Sequence, residues 1–222
     1  MQDYLLEQSR ITFQSANERN YHVFYQFAAG AAASPEIQEK FRLGAVQSYA
    51  YLNQSGCYTL DGHDDSQMFD RLRLALNVLN VAQEMVDGIF SILSSILWLG
   101  NMKFQDVEGE KSDLTEEDLD IVGLVCELLG FKLEPFIESL LFRQIQVRGT
   151  VTSIPFKHQE VSSHASINKK HQKCPNTCQL GLCFITREKG ISGQLVQLFF
   201  PIKLRKRKEV IKLLPNLRYK EI

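Results

Sequence analysis

The apolar residues of positions 1–156 recur at the spacing of α-helices, and this periodicity stops after Phe156. Apolar side chains three and four positions apart lie on one face of a helix. The broadest stripe runs from Val86 to Leu97, and we expect that helix to be buried on most of its circumference. The pattern predicts a mainly α fold with minor β over residues 1–156. Residues 157–222 lack the pattern, and we expect them to form a separate, disordered tail.

Capping and stop signals divide the first 156 residues into separate helices. Ser15 and Glu18 have capping-box spacing, which predicts a helix over about residues 17–29 that stops at Gly30. Similar signals predict helices over about 35–41, 66–79, 86–100, 115–129 and 135–142, the fourth opened by the capping-box spacing of Thr115 and Asp118. In two of them the periodicity places these residues toward the core: Phe69, Leu72, Leu76 and Leu79, and Leu119, Val122, Cys126 and Leu129.

Three segments between the helices carry other signals. Residues 102–105 (MKFQ) predict a short strand, and residues 107–113 (VEGEKSD) predict an acidic surface loop. Residues 143–156 (RQIQVRGTVTSIPF) are rich in β-branched side chains around Gly149. That composition predicts a small hairpin or a looped pair of strands.

Overall composition is that of a soluble globular protein, with 44% hydrophobic and 23% charged residues. No apolar run approaches the roughly 18 residues of a membrane span, and the amino terminus does not have the form of a secretion signal. The five cysteines form no closely spaced even framework, so we expect reduced thiols and a cytosolic chain.

Charge is distributed unevenly along the chain. Residues 1–156 carry 11 Lys and Arg against 22 Asp and Glu, whereas residues 157–222 carry 14 against 4. Such a break marks either a basic arm for acidic partners or a join between unrelated coding segments. We interpret residues 157–222 as the product of readthrough or of an alternative exon.

One long segment resembles a known family. Residues 4–31 (YLLEQSRITFQSANERNYHVFYQFAAGA) are similar to the myosin head just downstream of its first nucleotide switch. Further matches follow in the family's order: YLNQSG at 51–56, FDRLRLALNVLN at 69–80, IFSILSSILWLGNMKF at 89–104, VCELLGF at 125–131 and FRQIQVRGTVTSIPF at 142–156. The resemblance covers about residues 4–156 and points to an unconventional myosin heavy chain.

The resemblance implies the helical upper part of the 50 kDa region of a P-loop NTPase-type motor head, one jaw of the cleft that closes on actin. The positions that match the family's actin-contacting loop are Arg143, Arg148, Gly149 and Thr150. Thr150 stands where myosins carry an acidic or phosphorylatable residue, and a phosphate there would add about 1.5 to 2 negative charges. Tyr4 and Leu5 match residues that line the inner end of the cleft.

A myosin ATPase needs a GxxxxGK[ST] loop and two switch segments to hold Mg-ATP. None of these occurs in the 222 residues, and the resemblance places the first two upstream of Met1 and the third downstream of the actin loop. The helix that normally follows that loop is also missing. We therefore expect no catalytic residue, cofactor or metal in this chain, and Mg-ATP only in a parent motor. The implied partners are actin filaments and the rest of the head, with nucleic acid disfavoured, and the implied location is the cytoplasmic cytoskeleton.

Two tail motifs allow a functional reading. The first comprises His164, His171, Cys174, Cys178 and Cys183. They could suggest zinc, but they lack the paired spacing C-x2-C or H-x3-5-H, so incidental residues are favoured. KLRKRKE at 203–209 could bind nucleic acid or anionic lipid or direct localisation, and a solvated basic tail is favoured.

Two features of the helical part could suggest a catalytic histidine or a calcium site, and we interpret both as structural. His22 follows Tyr21 without a neighbouring triad, so we interpret it as structural. The acidic cluster consists of Glu116, Glu117, Asp118 and Asp120. It lacks the spacing of an EF-hand loop, and acids favour a helix amino terminus in any case.

Two functional hypotheses follow. The chain could be part of an actin-based, ATP-dependent motor whose activity belongs to the parent protein. Alternatively, it could be a truncated isoform without ATPase activity that binds actin weakly or interferes with motors through residues 143–156. A third possibility is that the chain is not a stable protein by itself, because apolar surface that packs against the rest of a head would be exposed.

Overall fold

The computed structural model describes residues 10, 13–147 and 150–161. Its helices are α1 His22–Ala33, α2 Pro35–Lys40, α3 Asp65–Val78, α4 Gln83–Leu99, α5 Glu116–Leu129, α6 Leu133–Leu141 and α7 His158–Val161. Its strands are β1 Gln105–Val107, β2 Lys111–Asp113, β3 Phe142–Val147 and β4 Thr150–Pro155. β1 pairs with β2 and β3 pairs with β4, both antiparallel. The mainly α fold with minor β is thus confirmed, and the predicted tail lies almost wholly outside the described residues.

Helix α4 lies at the centre of the core, as its broad apolar stripe predicts. Ten of its residues are buried, including Ser94 and Ser95. Beside it, the ring of Phe90 lies 4.7 Å from Phe27 and 5.3 Å from Phe69, measured between centroids. The Ser94 hydroxyl donates to the carbonyl of Phe41 at 2.6 Å, so this buried polar group is satisfied.

The start and end of α1 differ from the prediction. The helix begins at His22 rather than near residue 17, because residues 15–18 form a turn in which the amide of Glu18 donates to the carbonyl of Ser15. It also continues through Gly30 to Ala33. Gly30 is required for close packing instead: a Cβ there would lie 2.1 Å from Cδ1 of Phe69.

The segment before α1 is held by partners far along the chain. Arg19 is buried and pairs with Asp65 at 2.7 Å, and its guanidinium lies 3.9 Å from the ring centroid of Tyr25. The side-chain amide of Asn20 donates to the carbonyl of Tyr51 at 2.8 Å. Arg19 therefore binds the first residue of α3 and Asn20 binds the connection before α3, and these contacts hold both residues outside the helix.

Two residues predicted to face the core are exposed. Leu79 is 73% exposed because it is the C-cap residue of α3, where the helical stripe ends. Leu119 is 45% exposed because the inward stripe of α5 passes through its neighbour Asp118. Val122, Cys126 and Leu129 are buried as predicted.

The region between α4 and α5 is also rearranged. The predicted strand at 102–105 is irregular, with Met102 and Phe104 buried, and the strand β1 begins at Gln105. The predicted acidic loop at 107–113 instead forms the turn and the second strand of the β1–β2 hairpin, and Glu108 and Gly109 in that turn have φ of 57° and 71°. Helix α5 then begins at the predicted capping box of Thr115 and ends at Gly130 in the left-handed conformation.

Two further segments acquire structure that no periodicity predicted. In the connection before α3, the side chains of Tyr49, Tyr51 and Leu52 are almost completely buried. After Phe156 the chain forms α7, and Val161 is fully buried. Within the part of the chain that the structure describes, no helix combines the length and apolar character that crossing a membrane requires.

Candidate functional site

The hairpin β3–β4 is the predicted site, and it forms over the expected residues. Helix α6 ends when Phe142 adopts extended dihedral angles, so β3 starts without a connecting loop. The two strands pair from Phe142 with Pro155 to Val147 with Thr150. Pro155 occupies the end of β4, where the lost N–H group is tolerated. The predicted hairpin at 143–156 is therefore confirmed.

The surface of this hairpin combines apolar and basic character. Val151 is 58% exposed and Ile145 is 38% exposed. Arg143 is also exposed on β3. Ile145 lies two positions from Arg143 and therefore on the same face of the ribbon, whereas Val151, which is paired with Gln146, lies on the opposite face. An exposed aliphatic side chain beside a guanidinium suits a protein partner more than a small ligand, because a flat ribbon offers no concave pocket.

The base of the hairpin is fixed by backbone hydrogen bonds. The amide of Phe156 donates to the carbonyl of Leu141 at 2.8 Å, and the carbonyl of Phe156 accepts from the amide of Ser112 at 2.9 Å. Leu141 and Phe156 are both buried. The hairpin therefore projects from a packed base that it shares with β2.

The structure describes only some of the predicted site residues. Arg143 lies near the base of the hairpin, and Thr150 pairs with Val147 at its outer end. Arg148 and Gly149, between those paired positions, lie outside the described residues, as do the two predicted cleft residues Tyr4 and Leu5. Actin contact by any of these positions stays a prediction.

The acidic cluster of α5 contains one residue with a specific structural role. The Asp118 carboxylate is buried and accepts hydrogen bonds from the amides of Lys103, Phe104 and Thr115 at 2.9 to 3.0 Å. The first two bonds tie the chain after α4 to the start of α5. Among residues with described positions, no group of three or more His, Cys, Asp or Glu is arranged to hold a metal ion.

His22 lies at the exposed start of α1. Its pKa is lowered from the ordinary value, first by partial burial and then by the positive charge of Arg19. The imidazole is therefore biased toward its neutral form, which agrees with a structural histidine but does not test that interpretation.

A shallow cavity lies between α2, α3 and α4. Its volume is about 130 Å³, and its lining includes Phe41, Phe69 and Phe90 with Lys40 and Arg73. Pockets that enclose drug-sized ligands have volumes of about 300 to 1,000 Å³, so this cavity is too small for a nucleotide.

The packing at the base of the hairpin was not anticipated from the sequence. Ser112 and Phe156 are 44 positions apart, and neither belongs to a motif that signals pairing. The sequence predicts Asp118 as a capping residue, but no pattern near it in the sequence predicts its bonds to the amides of Lys103 and Phe104. The one available hint was the spacing of Thr115 and Asp118, which predicts the orientation of the carboxylate toward the helix start.

Comparison with known proteins identifies the family. Residues 1–172 match the family model for the myosin head, or motor domain. The chain is 40% identical over 160 residues to the myosin-I heavy chain of Dictyostelium discoideum, covering 71% of this chain and 7% of that protein. It is 33% identical over 175 residues to myosin-3 of Arabidopsis thaliana, covering 78% of this chain and 15% of that one.

A non-muscle relative is also similar. The chain is 41% identical over 144 residues to the non-muscle myosin-2 heavy chain of Acanthamoeba castellanii, covering 64% of this chain and 9% of the relative. The chain thus spans 7 to 15% of the length of these three relatives. The family match extends beyond Phe156 and includes α7. The chain belongs to the myosin motor-domain family.

Proposed function

We propose that this chain forms part of an actin-based, ATP-dependent motor and contributes the β3–β4 hairpin to the surface that binds actin. Family membership supports the motor assignment. The observation that carries the site is the projecting hairpin, at the place where the family resemblance puts an actin loop. On one face of it Ile145 is exposed beside Arg143, and on the other face Val151 is exposed. The proposed location is accordingly the cytoplasmic cytoskeleton.

Co-sedimentation with actin filaments tests this proposal. We expect the full 222-residue chain to bind filaments weakly, and binding to decrease with salt because the arginines of the hairpin contribute charge. The double variant Arg143→Ala/Arg148→Ala should lose most of the binding. The variant Arg71→Ala/Arg73→Ala is the matched control, because it removes the same charge from exposed positions of α3. If both double variants lost actin binding equally, only the net charge of the chain would matter, and the hairpin would not be the binding site.

The chain itself is proposed to have no nucleotide site, and Mg-ATP to act in the parent motor. No GxxxxGK[ST] loop occurs in the sequence. We expect the purified chain to hydrolyse no Mg-ATP with or without actin. Hydrolysis that follows the chain through purification would overturn this part of the proposal.

The rest of a motor head is proposed as a second partner. Large apolar side chains are exposed at the end of α3, with Leu74 at 62% and Val78 at 72%. Exposed apolar groups of this kind mark surfaces that are covered in an assembly. If the chain instead acts alone, it is a non-catalytic actin-binding or interfering isoform. Actin binding that persists without any other myosin segment would favour that alternative.

Thr150 is proposed as a phosphorylation site that changes actin binding. It lies at the outer end of β4, next in sequence to Gly149 and two positions after Arg148. A phosphate would add about 1.5 to 2 negative charges beside those groups. We expect Thr150→Glu and Thr150→Ala to differ in the salt dependence of actin binding. Superimposable curves would remove Thr150 from the proposal.

A further inference from the structure

Three parts of the chain meet at Phe156. Its amide donates to the carbonyl of Leu141, at the junction of α6 and β3, and its carbonyl accepts from the amide of Ser112 in β2. Two residues later α7 begins, and this helix packs against both β1 and β2. The two hairpins are therefore joined at their bases, although Asp113, the end of β2, and Phe142, the start of β3, are 29 positions apart.

The β3–β4 ribbon has little support of its own. Along its length, the described side chains of residues 142–145 and 151–153 are all exposed. The buried side chains lie at or just beyond the base, where Leu141 is 9%, Phe156 8% and Val161 0% exposed. Two-stranded ribbons are marginally stable in water, so packing at the base has to hold the direction of this one.

The amide of Ser112 is directed to Phe156 and not to β1. Ser112 and Asp106 are partners in the β1–β2 register, yet the N–H group of Ser112 bonds outside that hairpin. The Ser112 side chain is buried, and its hydroxyl has no hydrogen-bond partner among the residues described. Ser112 thus acts at this junction through its backbone.

We propose that Ser112 and Phe156 are positioning residues, which hold the β3–β4 hairpin in the orientation used for partner binding. The consequence for binding rests on the proposed actin-binding function, whereas the consequence for hairpin order does not. Loss of the junction leaves every side chain of the hairpin in place but lets the ribbon sample more directions. Ordering it again on binding costs free energy, so affinity falls without loss of a contact residue.

The test compares Ser112→Pro with Ser112→Ala in the full-length chain. Proline removes the N–H group that reaches Phe156, and alanine keeps it while removing only the unsatisfied hydroxyl. Hydrogen exchange of peptides from residues 142–155 reports hairpin order, and peptides from α4 report the core. Phe156→Ala and Phe156→Leu form a second pair, because leucine retains most of the buried apolar volume.

We expect Ser112→Pro and Phe156→Ala to increase exchange in the hairpin while exchange in α4 is unchanged. Actin affinity should fall by roughly three- to tenfold, which corresponds to the net contribution of one hydrogen bond. Ser112→Ala and Phe156→Leu should resemble the natural chain in both measurements.

The outcomes separate the two proposals. If the natural chain fails to bind actin but hairpin exchange still responds to Ser112→Pro, the proposed function is wrong and the positioning role stands. If hairpin exchange is the same in the proline and alanine variants, and in the two Phe156 variants, the positioning role is overturned. Unchanged actin affinity in a hairpin that has lost protection would also overturn it.

Discussion

The ring of Phe69 occupies the space where any side chain at residue 30 would begin. A Cβ at Gly30 would lie 2.1 Å from Cδ1 and 2.6 Å from Cε1 of that ring. Gly30 lies within α1, where glycine is unfavourable for helix stability, so close packing between α1 and α3 explains its presence. The Phe69 ring cannot retreat easily, because it also contacts the rings of Phe27 and Phe90.

Gly30→Ala should therefore destabilise the fold. Overpacking of this kind costs about 1 to 3 kcal/mol of unfolding free energy, more than the helix propensity that alanine adds. Gly88→Ala is the matched control, since Gly88 also lies within a helix but a Cβ there meets no atom within 4 Å. We expect this control to be stabilising by about 0.5 to 1 kcal/mol. Urea denaturation measures both, and a stabilising Gly30→Ala would disprove the packing explanation.

Asp118→Ala should destabilise the connection between α4 and α5. The carboxylate accepts bonds from the amides of Lys103, Phe104 and Thr115, and each buried amide left unsatisfied costs about 1 to 3 kcal/mol. Asp120→Ala removes the same charge from an exposed position of α5 and should cost less than about 0.5 kcal/mol. Equal effects of the two substitutions on urea denaturation would mean that charge near the helix start, and not the buried bonds, stabilises this region.

Asp65→Ala should leave the buried positive charge of Arg19 without its partner. The Arg19 side chain is only 2% exposed and pairs with Asp65 at 2.7 Å. Removing one partner of a buried pair costs about 3 kcal/mol or more because the other charge is left uncompensated. The comparison is Glu127→Ala, which breaks the pair of Glu127 with Arg42, where both side chains are more than half exposed. We expect the urea concentration at which this second variant unfolds to be nearly the same as that of the natural chain. A similar loss of unfolding free energy in the two variants would show that burial of the Arg19–Asp65 pair does not determine its contribution.

Cys126 should react slowly with thiol reagents. Burial raises the pKa of its thiol from 9.0 to about 11, so very little thiolate forms at neutral pH. Cys57 is half-buried and should be alkylated by iodoacetamide before Cys126. Peptide mass spectrometry separates the two positions. Faster labelling of Cys126 in the folded chain would show that α5 is not packed as described.

The same thiol should make stability fall at alkaline pH. The folded chain holds the Cys126 proton up to a pKa of about 11, whereas the unfolded chain releases it near 9.0. The unfolded state therefore binds fewer protons between pH 9 and 11, and the stabilising contribution is lost as pH rises through that window. The Tyr49 hydroxyl, with a pKa raised to about 12 by burial, adds a similar loss at higher pH. We expect the free energy of unfolding of the Cys126→Ala variant to depend less on pH between pH 9 and 11 than that of the natural chain.

Much of the helical framework could be predicted because its signals are local. The capping box of Thr115 and Asp118 and the left-handed Gly130 determine where α5 begins and ends. Both depend on atoms within one helical turn, so the sequence contains all the necessary information. The same holds for the β3–β4 hairpin, whose register follows from a short connection, and for α4, whose broad apolar stripe requires burial.

Tertiary structure decided what depends on residues distant in the sequence. Gly30 resembles a helix stop until the ring of Phe69 is placed against it, and Arg19 resembles a helical residue until Asp65, 46 positions later, pairs with it. The family resemblance and local patterns determined which elements form and which hairpin to consider for binding. Only the fold brought Ser112 to Phe156, because a backbone amide and carbonyl are common to every residue and carry no sequence signal of their partner.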